Sequence, residues 1–282
     1  MTKAPTIPRK KRSLSMFVSV PYIVWMLLFI LVPLGMVVWF GFTTSDGALT
    51  LDNFAGVMKY GKVFFKSIYL SLIATVVCLL IGFPVGYLMS RMSEVGQRTM
   101  LMLIMLPMWM SFLLRTYAWM TLLEREGLIN RFFGLFGLGP FNMINTQGAV
   151  VLGMVYNYLP FMIMPLHSVM IKIDRSIIEA AQDLGANGVH VFLKVLLPLS
   201  VPGIVTGVTM VFVPSVSTFI ISRMLGGGTN LLIGDLIEQQ FLGSVYNPNV
   251  GSAMSLILMV MILLIMGVIN HFDDGEMEGM LV

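Results

Sequence analysis

The sequence predicts an all-α membrane protein with six transmembrane helices. Two observations carry this. The first is composition. Of 282 residues, 57% are apolar and only 11% charged, and the mean hydropathy is +0.89. Soluble domains carry about 25% charged residues, so most of this surface must face lipid. The second is placement. A span needs about 20 mostly apolar residues, and five stretches reach that length without one Asp, Glu, Lys or Arg: 18–42, 67–90, 148–171, 195–222 and 250–270. A sixth, 99–123, is interrupted only by Arg115.

Taken in order, the first span is not a cleaved signal peptide. Its apolar run exceeds the roughly 7–15 residues of a signal core, and no small-residue cleavage site follows. Before it lies a basic tail, 1–17, with Arg9, Lys10, Lys11 and Arg12 together. After the last span comes an acidic tail, 271–282. With six spans both termini share one side. That side holds ten basic residues, Lys3, Arg9, Lys10, Lys11, Arg12, Arg91, Arg98, Lys172, Arg175 and Lys194. The other holds six, Lys59, Lys62, Lys66, Arg125, Arg131 and Arg223. The positive-inside rule therefore places both termini in the cytoplasm.

The second span carries Gly82 and Gly86, and the fifth Gly203 and Gly207, small pairs that allow close backbone approach. The contact could lie within the chain or against a partner subunit. Nine of 13 prolines, among them Pro84, Pro107, Pro160, Pro165, Pro202 and Pro214, lie in or at the ends of spans. Each interior one is expected to kink its helix, and broken helices are common around solute pathways. Arg115 is expected to pair internally or to snorkel to the outer interface rather than to touch a transported solute.

The composition also excludes. Cys78 is the one cysteine, and His167, His190 and His271 show no ligand spacing, so no metal site is expected. The net charge of +3 gives no reason to expect nucleic acid. There is no G-x-x-x-x-G-K-[ST], so the chain does not hydrolyse ATP itself. No catalytic motif such as H-E-x-x-H is present. The spans hold no carboxylate, which argues against a proton-coupled secondary transporter.

The loop 172–198 between spans four and five is the longest on the cytoplasmic side. Ser176 with Glu179 is a capping-box pattern, so a helix should start there. Ile177, Ile178, Ala181 and Leu184 should form its apolar face, and Gly185 or Gly188 should end it. A loop this short builds no core, so that face must lie on the membrane or enter a groove on another protein.

Glu179-Ala180-Ala181, then Gly185, then nine residues, then Val195-x-Leu197-Pro198 resembles the EAA motif of ABC importer permeases, with Val in place of Ile. Pro107-x-Trp109, Arg115-x-Tyr117, Tyr156 with Leu159-Pro160-Phe161-Met162, and Leu225-Gly226-Gly227 through Gln240-Phe241-Leu242 extend the likeness to permease subunits of spermidine/putrescine importers. The resemblance implies the type I ABC importer permease fold over 18–270, in a bacterial cytoplasmic membrane. It implies that 172–198 is a coupling loop in which Glu179, Ala180, Ala181, Asp183, Gly185, Leu197 and Pro198 meet an ATPase. It implies no cofactor in this chain, with ATP and Mg bound by the ATPase partner. The other implied partners are a second permease and an extracytoplasmic substrate-binding protein. Related permeases carry sulfate, molybdate, iron or thiamine.

A polyamine is a chain of ammonium groups and methylenes, and aromatic faces suit it. Trp109, Tyr117, Tyr156, Asn157, Tyr158, Ser215, Thr218 and Phe219 are the candidates for its pathway. On the outer side, 231–242 reads as a short amphipathic helix. Asp235 and Glu238 share its polar face, as cation attractors, receptor contacts or simply a solvated surface.

Overall fold

The structure is a computed structural model describing residues 20–279 apart from 229 and 244, with backbone alone from 270 onward. The basic tail 1–17 lies outside the described residues. Among those described there are helices and one isolated bridge, Thr43 to Leu49, but no strand.

Four helices are long and apolar enough to span: α1 (Val20–Gly41), α3 (Gly61–Ser90), α7 (Gln147–Met170) and the apolar part of α13 (Pro248–Gly279). The other two expected spans are bent pairs. In the first, Glu94–Trp109 (α4 with its 3₁₀ end) meets Phe112–Gly134 (α5, Phe112–Leu123, and α6, Leu128–Gly134) at 88°. In the second, Gly188–Leu199 (α9) meets α10 (Val201–Ser217) at 68°. The short α2 (Asp52–Met58) lies between the first two spans. The loop helix is α8 (Arg175–Asp183), and α11 (Ile220–Leu225) and α12 (Ile233–Leu242) follow the fifth span.

The prolines act selectively. Pro84, Pro160, Pro165 and Pro214 lie inside continuous α-helices and do not break them. Pro33 and Pro198 each follow a five-residue π segment, Leu27–Leu31 and Phe192–Leu196. A proline ring clashes with the carbonyl four residues back. Those carbonyls, at 29 and 194, lie at the centre of each wider π turn, which absorbs the clash. The sharp bends fall after Pro107 and between Pro198 and Pro202.

The core is α7 clasped by α3 and α10, with Leu70, Ala74, Cys78, Met154, Met162 and Leu166 buried. Both small-residue pairs close onto α7. A side chain at Gly82 would meet Met162, and at Gly86 the backbone of His167. One at Gly203 would meet the Pro165 carbonyl oxygen at 3.1 Å, and at Gly207 the Met162 sulfur at 2.6 Å. The contact is within the chain. A second cluster, including Phe64, Phe212, Ile233, Leu236 and Met254, joins α12 and α13 to the spans. The C-terminal end of α1 is tied down by two amides. Asn53 Nδ2 donates to the carbonyls of Gly41 and Thr43, and Asn249 Nδ2 to those of Phe40 and Thr43.

Candidate functional site

Two assemblies stand out, one in the 172–198 loop and one beyond the fifth span. In the loop, the cap of α8 is Asp174 rather than Ser176: Asp174 Oδ1 accepts from the Ser176 amide at 2.9 Å. That bond, with the Ser176 hydroxyl, holds the Asp174 carboxyl below the usual carboxylate range. Glu179 does not close a capping box. It pairs with Arg175 Nε at 3.1 Å, one turn back. The helix ends at Gly185, which takes φ +86°. Gly185 N–H donates to the Gln182 carbonyl and Ala186 N–H to that of Ala181, a complete Schellman pair. Gly188 instead opens α9 behind the Asn187 cap.

The expected apolar face divides. Ile178 is buried and Ala181 packs on the core, while Ile177 is exposed and Leu184 is 90% exposed. Glu179, Ala180, Asp183, Leu184 and Gly185 thus form one outward strip. Leu197 and Pro198 are half-buried in the elbow between α9 and α10.

On the other side, α10 ends at Ser217, and Thr218 is extended. The N-terminus of α12 seats on that break. Gly234 lies so close to the carbonyls of Ser217 and Thr218 that no Cβ fits. Ser67 Oγ accepts from Ile233 N–H at 2.8 Å, and Asp235 Oδ2 accepts from Leu232 N–H at 2.8 Å and from Ser222 Oγ at 2.5 Å. Asp235 is fully buried, so the expectation of a shared polar face with Glu238 is corrected for this residue. Burial pushes its carboxyl above the usual range, against the pull of the Ser222 and Leu232 bonds. Glu238 is bound in a close ion pair by Arg223, whose Nε also stands 4.0 Å from Asp235 Oδ1. Lys66 Nζ donates to Asn230 Oδ1 at 2.7 Å, and Asn230 Nδ2 donates to the Asn145 carbonyl. Ser67, Ser222, Arg223, Asn230 and Gly234 were not among the sequence candidates. A glycine in the first turn of an amphipathic helix was the one available signal.

The pathway candidates separate into two groups. Tyr158, Ser215, Thr218 and Phe219 gather at the break. Tyr158 Oη donates to the Pro214 carbonyl at 3.4 Å, and Ser215 Oγ to that of Val211 at 2.6 Å. Asn157 is buried nearby on α7, its Nδ2 donating to the Gly153 carbonyl at 2.8 Å while its Oδ1 has no partner. Phe219 is partly exposed. Tyr156 lies edge-on to Trp119 at 5.3 Å. Trp109 is 79% exposed and Tyr117 also open, both on the bent third span. Arg115 is 7% exposed, so it does not snorkel. Its guanidinium lies 5.9 Å from the Phe112 ring, its Nε is without a hydrogen-bond partner, and no ion pair includes it among the described residues.

The chain thus presents an exposed loop helix between its fourth and fifth spans and a fifth span whose end is capped by α12. The family described as binding-protein-dependent transport system inner membrane component matches residues 67–275. The chain belongs to that family. It is therefore an ABC importer permease, a multi-pass protein of the cytoplasmic membrane and a transport component rather than an enzyme. The permease is 38% identical over 251 residues to the spermidine/putrescine transport system permease protein PotB of Haemophilus influenzae, covering 86% of this chain and 87% of that one. PotB of Escherichia coli K12 is 35% identical, over 84% and 89%. The inner membrane ABC transporter permease protein YdcU of the same organism is 27% identical, over 83% and 81%. Among solved structures, a chain of a bacterial ABC transporter that imports alginate matches with a TM-score of 0.74 at 19% identity, over 93% of this permease and 95% of that chain. The MetNI methionine transporter matches at 0.54, over 76% and 94%. These two likenesses bear on the fold alone.

Proposed function

We propose that this permease forms part of the membrane pathway for polyamines, of the spermidine and putrescine class. The observation that carries the reading is the 35–38% identity, over most of both chains, to permeases named for those solutes. The chemistry of the site agrees. The mouth beyond the fifth span offers aromatic and hydroxyl groups, Tyr158, Thr218 and Phe219, which suit a methylene chain bearing ammonium groups. Its two carboxylates are already occupied, Glu238 by Arg223 and Asp235 by Ser222 and the Leu232 amide. A mouth whose carboxylates are already engaged passes a cation on rather than retaining it. Capture then falls to an extracytoplasmic substrate-binding protein. A second permease completes the pathway, and ATP with Mg is bound by ATPase subunits that receive the strip from Glu179 to Gly185.

The test is uptake of labelled spermidine by cells that lack their own polyamine importers and express the complete transporter with or without this chain. Chain-dependent uptake, competed by putrescine and not by sulfate, molybdate, iron or thiamine, is expected. Competition by one of those solutes in place of putrescine would overturn the substrate. The proposed topology, both termini cytoplasmic, is tested by a cysteine reagent that does not cross membranes. Met58→Cys, 81% exposed in the wild type, should label in intact cells and Val189→Cys should not. Buried Cys78 stays silent.

A further inference from the structure

Two cavities meet where α3 leaves the membrane beside the 172–198 loop. The first is an apolar groove of about 530 Å³ whose walls include Leu79, Leu80, Phe83, Phe192 and Leu196. The second, of about 250 Å³, is polar and is lined by Arg91, Arg175 and Glu179. Tyr87, Ile178 and Gln182 line both, so the two adjoin across these side chains. Apolar wall thus runs along a spanning helix and ends in guanidinium groups at the membrane surface.

Arg91 has donors left over. Its guanidinium is held 5.3 Å from the Tyr87 ring, and its Nη1 reaches the Ile173 carbonyl at 3.5 Å. Its Nε and Nη2 are buried and have no partner. Buried charged donors without acceptors are costly. Two oxygens of one phosphate match a guanidinium fork. Glu179 does not fill this need, because it pairs with Arg175. Asp174 senses the Arg91 charge, but its oxygen accepts from Ser176 and it does not line the cavity. The lining therefore carries two guanidiniums against one carboxylate.

We propose that this junction binds one anionic phospholipid, its phosphate against Arg91 and Arg175 and one acyl chain in the groove beside Phe83 and Phe192. Basic pockets beside spans, at the level of the headgroups, take such lipids. A soluble anion would leave the groove empty, and a neutral lipid would leave the second guanidinium without a counter-charge. The lipid would sit under α8, behind Ile178, and so brace the loop helix from its inner side.

The assembled transporter, with the full-length chain, is reconstituted in vesicles containing phosphatidylglycerol with a photoactivatable acyl chain. Cross-links are mapped by peptide. Labelling of peptides 79–87 and 188–197 is expected, well above that given by the matching phosphatidylcholine probe. Arg91→Gln should lower it about fivefold, the order expected for one basic contact at an anionic surface. Labelling of α1 should not change. Arg175→Gln, at an exposed position where folding is not at risk, should lower it in the same direction, and Arg91→Lys should retain part of it. Equal labelling by the two lipids, no labelling of the groove, or indifference to both Arg91→Gln and Arg175→Gln would overturn the proposal. Loss of labelling in millimolar inorganic phosphate at constant ionic strength would assign the basic pocket to a free anion and overturn the lipid.

Discussion

Gly234 sits directly on the carbonyl oxygen of Ser217. The carbonyls in the last turn of α10 have lost their helical N–H donors at this point, and the first turn of α12 covers it. No other residue leaves room for that approach. Gly234→Ala is therefore expected to lift α12 from the break. Overpacking of this kind costs about 1–3 kcal/mol, which lowers the seating equilibrium constant by roughly 5–150-fold. Spermidine uptake should fall while the chain still inserts. Wild-type uptake by Gly234→Ala would remove α12 seating from the transport cycle.

The glycines that close on α7 are not equivalent. At Gly203 an added methyl meets the rigid carbonyl of Pro165, whereas at Gly207 it meets the flexible end of Met162. Gly203→Ala should cost about 1–3 kcal/mol as overpacking, and Gly207→Ala less than about 1 kcal/mol because Met repacks. Gly35→Ala, in α1 with open space around it, should be neutral or stabilising by about 0.4–1 kcal/mol. Thermal unfolding in one detergent ranks the three; a Gly207 variant less stable than the Gly203 variant would contradict the geometry.

Asp235 acts as an internal cap for α12. Asp235→Asn keeps an acceptor for Leu232 N–H and a partner for Ser222, so its effect on uptake should be at most severalfold. Asp235→Leu strands both groups, at about 1–3 kcal/mol each. Because burial raises the folded carboxyl above its unfolded value, its contribution to seating is fully present below the unfolded value. It is lost as pH rises through the folded one. Protection of the Leu236–Gln240 amides, corrected for intrinsic exchange, should decline across that window in the wild type and stay level in Asp235→Asn. The reverse order would refute the cap.

In the loop, Gly185 has open space but a left-handed backbone. Gly185→Asn should be tolerated. Gly185→Ala should cost about 1–2 kcal/mol of helix termination, and Gly185→Glu should abolish receptor-stimulated ATP hydrolysis by the complex. Asp174 contributes its cap above its unfolded value and loses it only as pH falls through the depressed folded one. Asp174→Asn should keep coupling and Asp174→Ala weaken it. Full transport by Gly185→Glu would detach this strip from the ATPase.

Hydropathy made the spans legible, because lipid exposure imposes one sign on some 20 residues in a row. It carries no direction, so while Pro107, Pro198 and Pro202 marked where the third and fifth spans break, the 88° and 68° angles were not legible. Asp235 and Glu238 lie three apart and share a face on an isolated helix. Only the arrival of Ser222, Arg223 and the Ser217 carbonyl separates a buried carboxylate from a paired one. Asp174 and Ser176 are both good caps, and local pattern alone does not choose between them.

The closure of Gly82 on Met162 also bears on how the chain is made. Its two halves are about 80 residues apart, and synthesis proceeds at roughly 5–20 residues per second. The second span thus emerges into the bilayer several seconds before its counterpart, with the small-residue face of α3 solvated by lipid tails. Substitutions at Gly82 or Gly86 that slow the later meeting would show first as quality-control degradation of newly made chains, before any defect in those that mature.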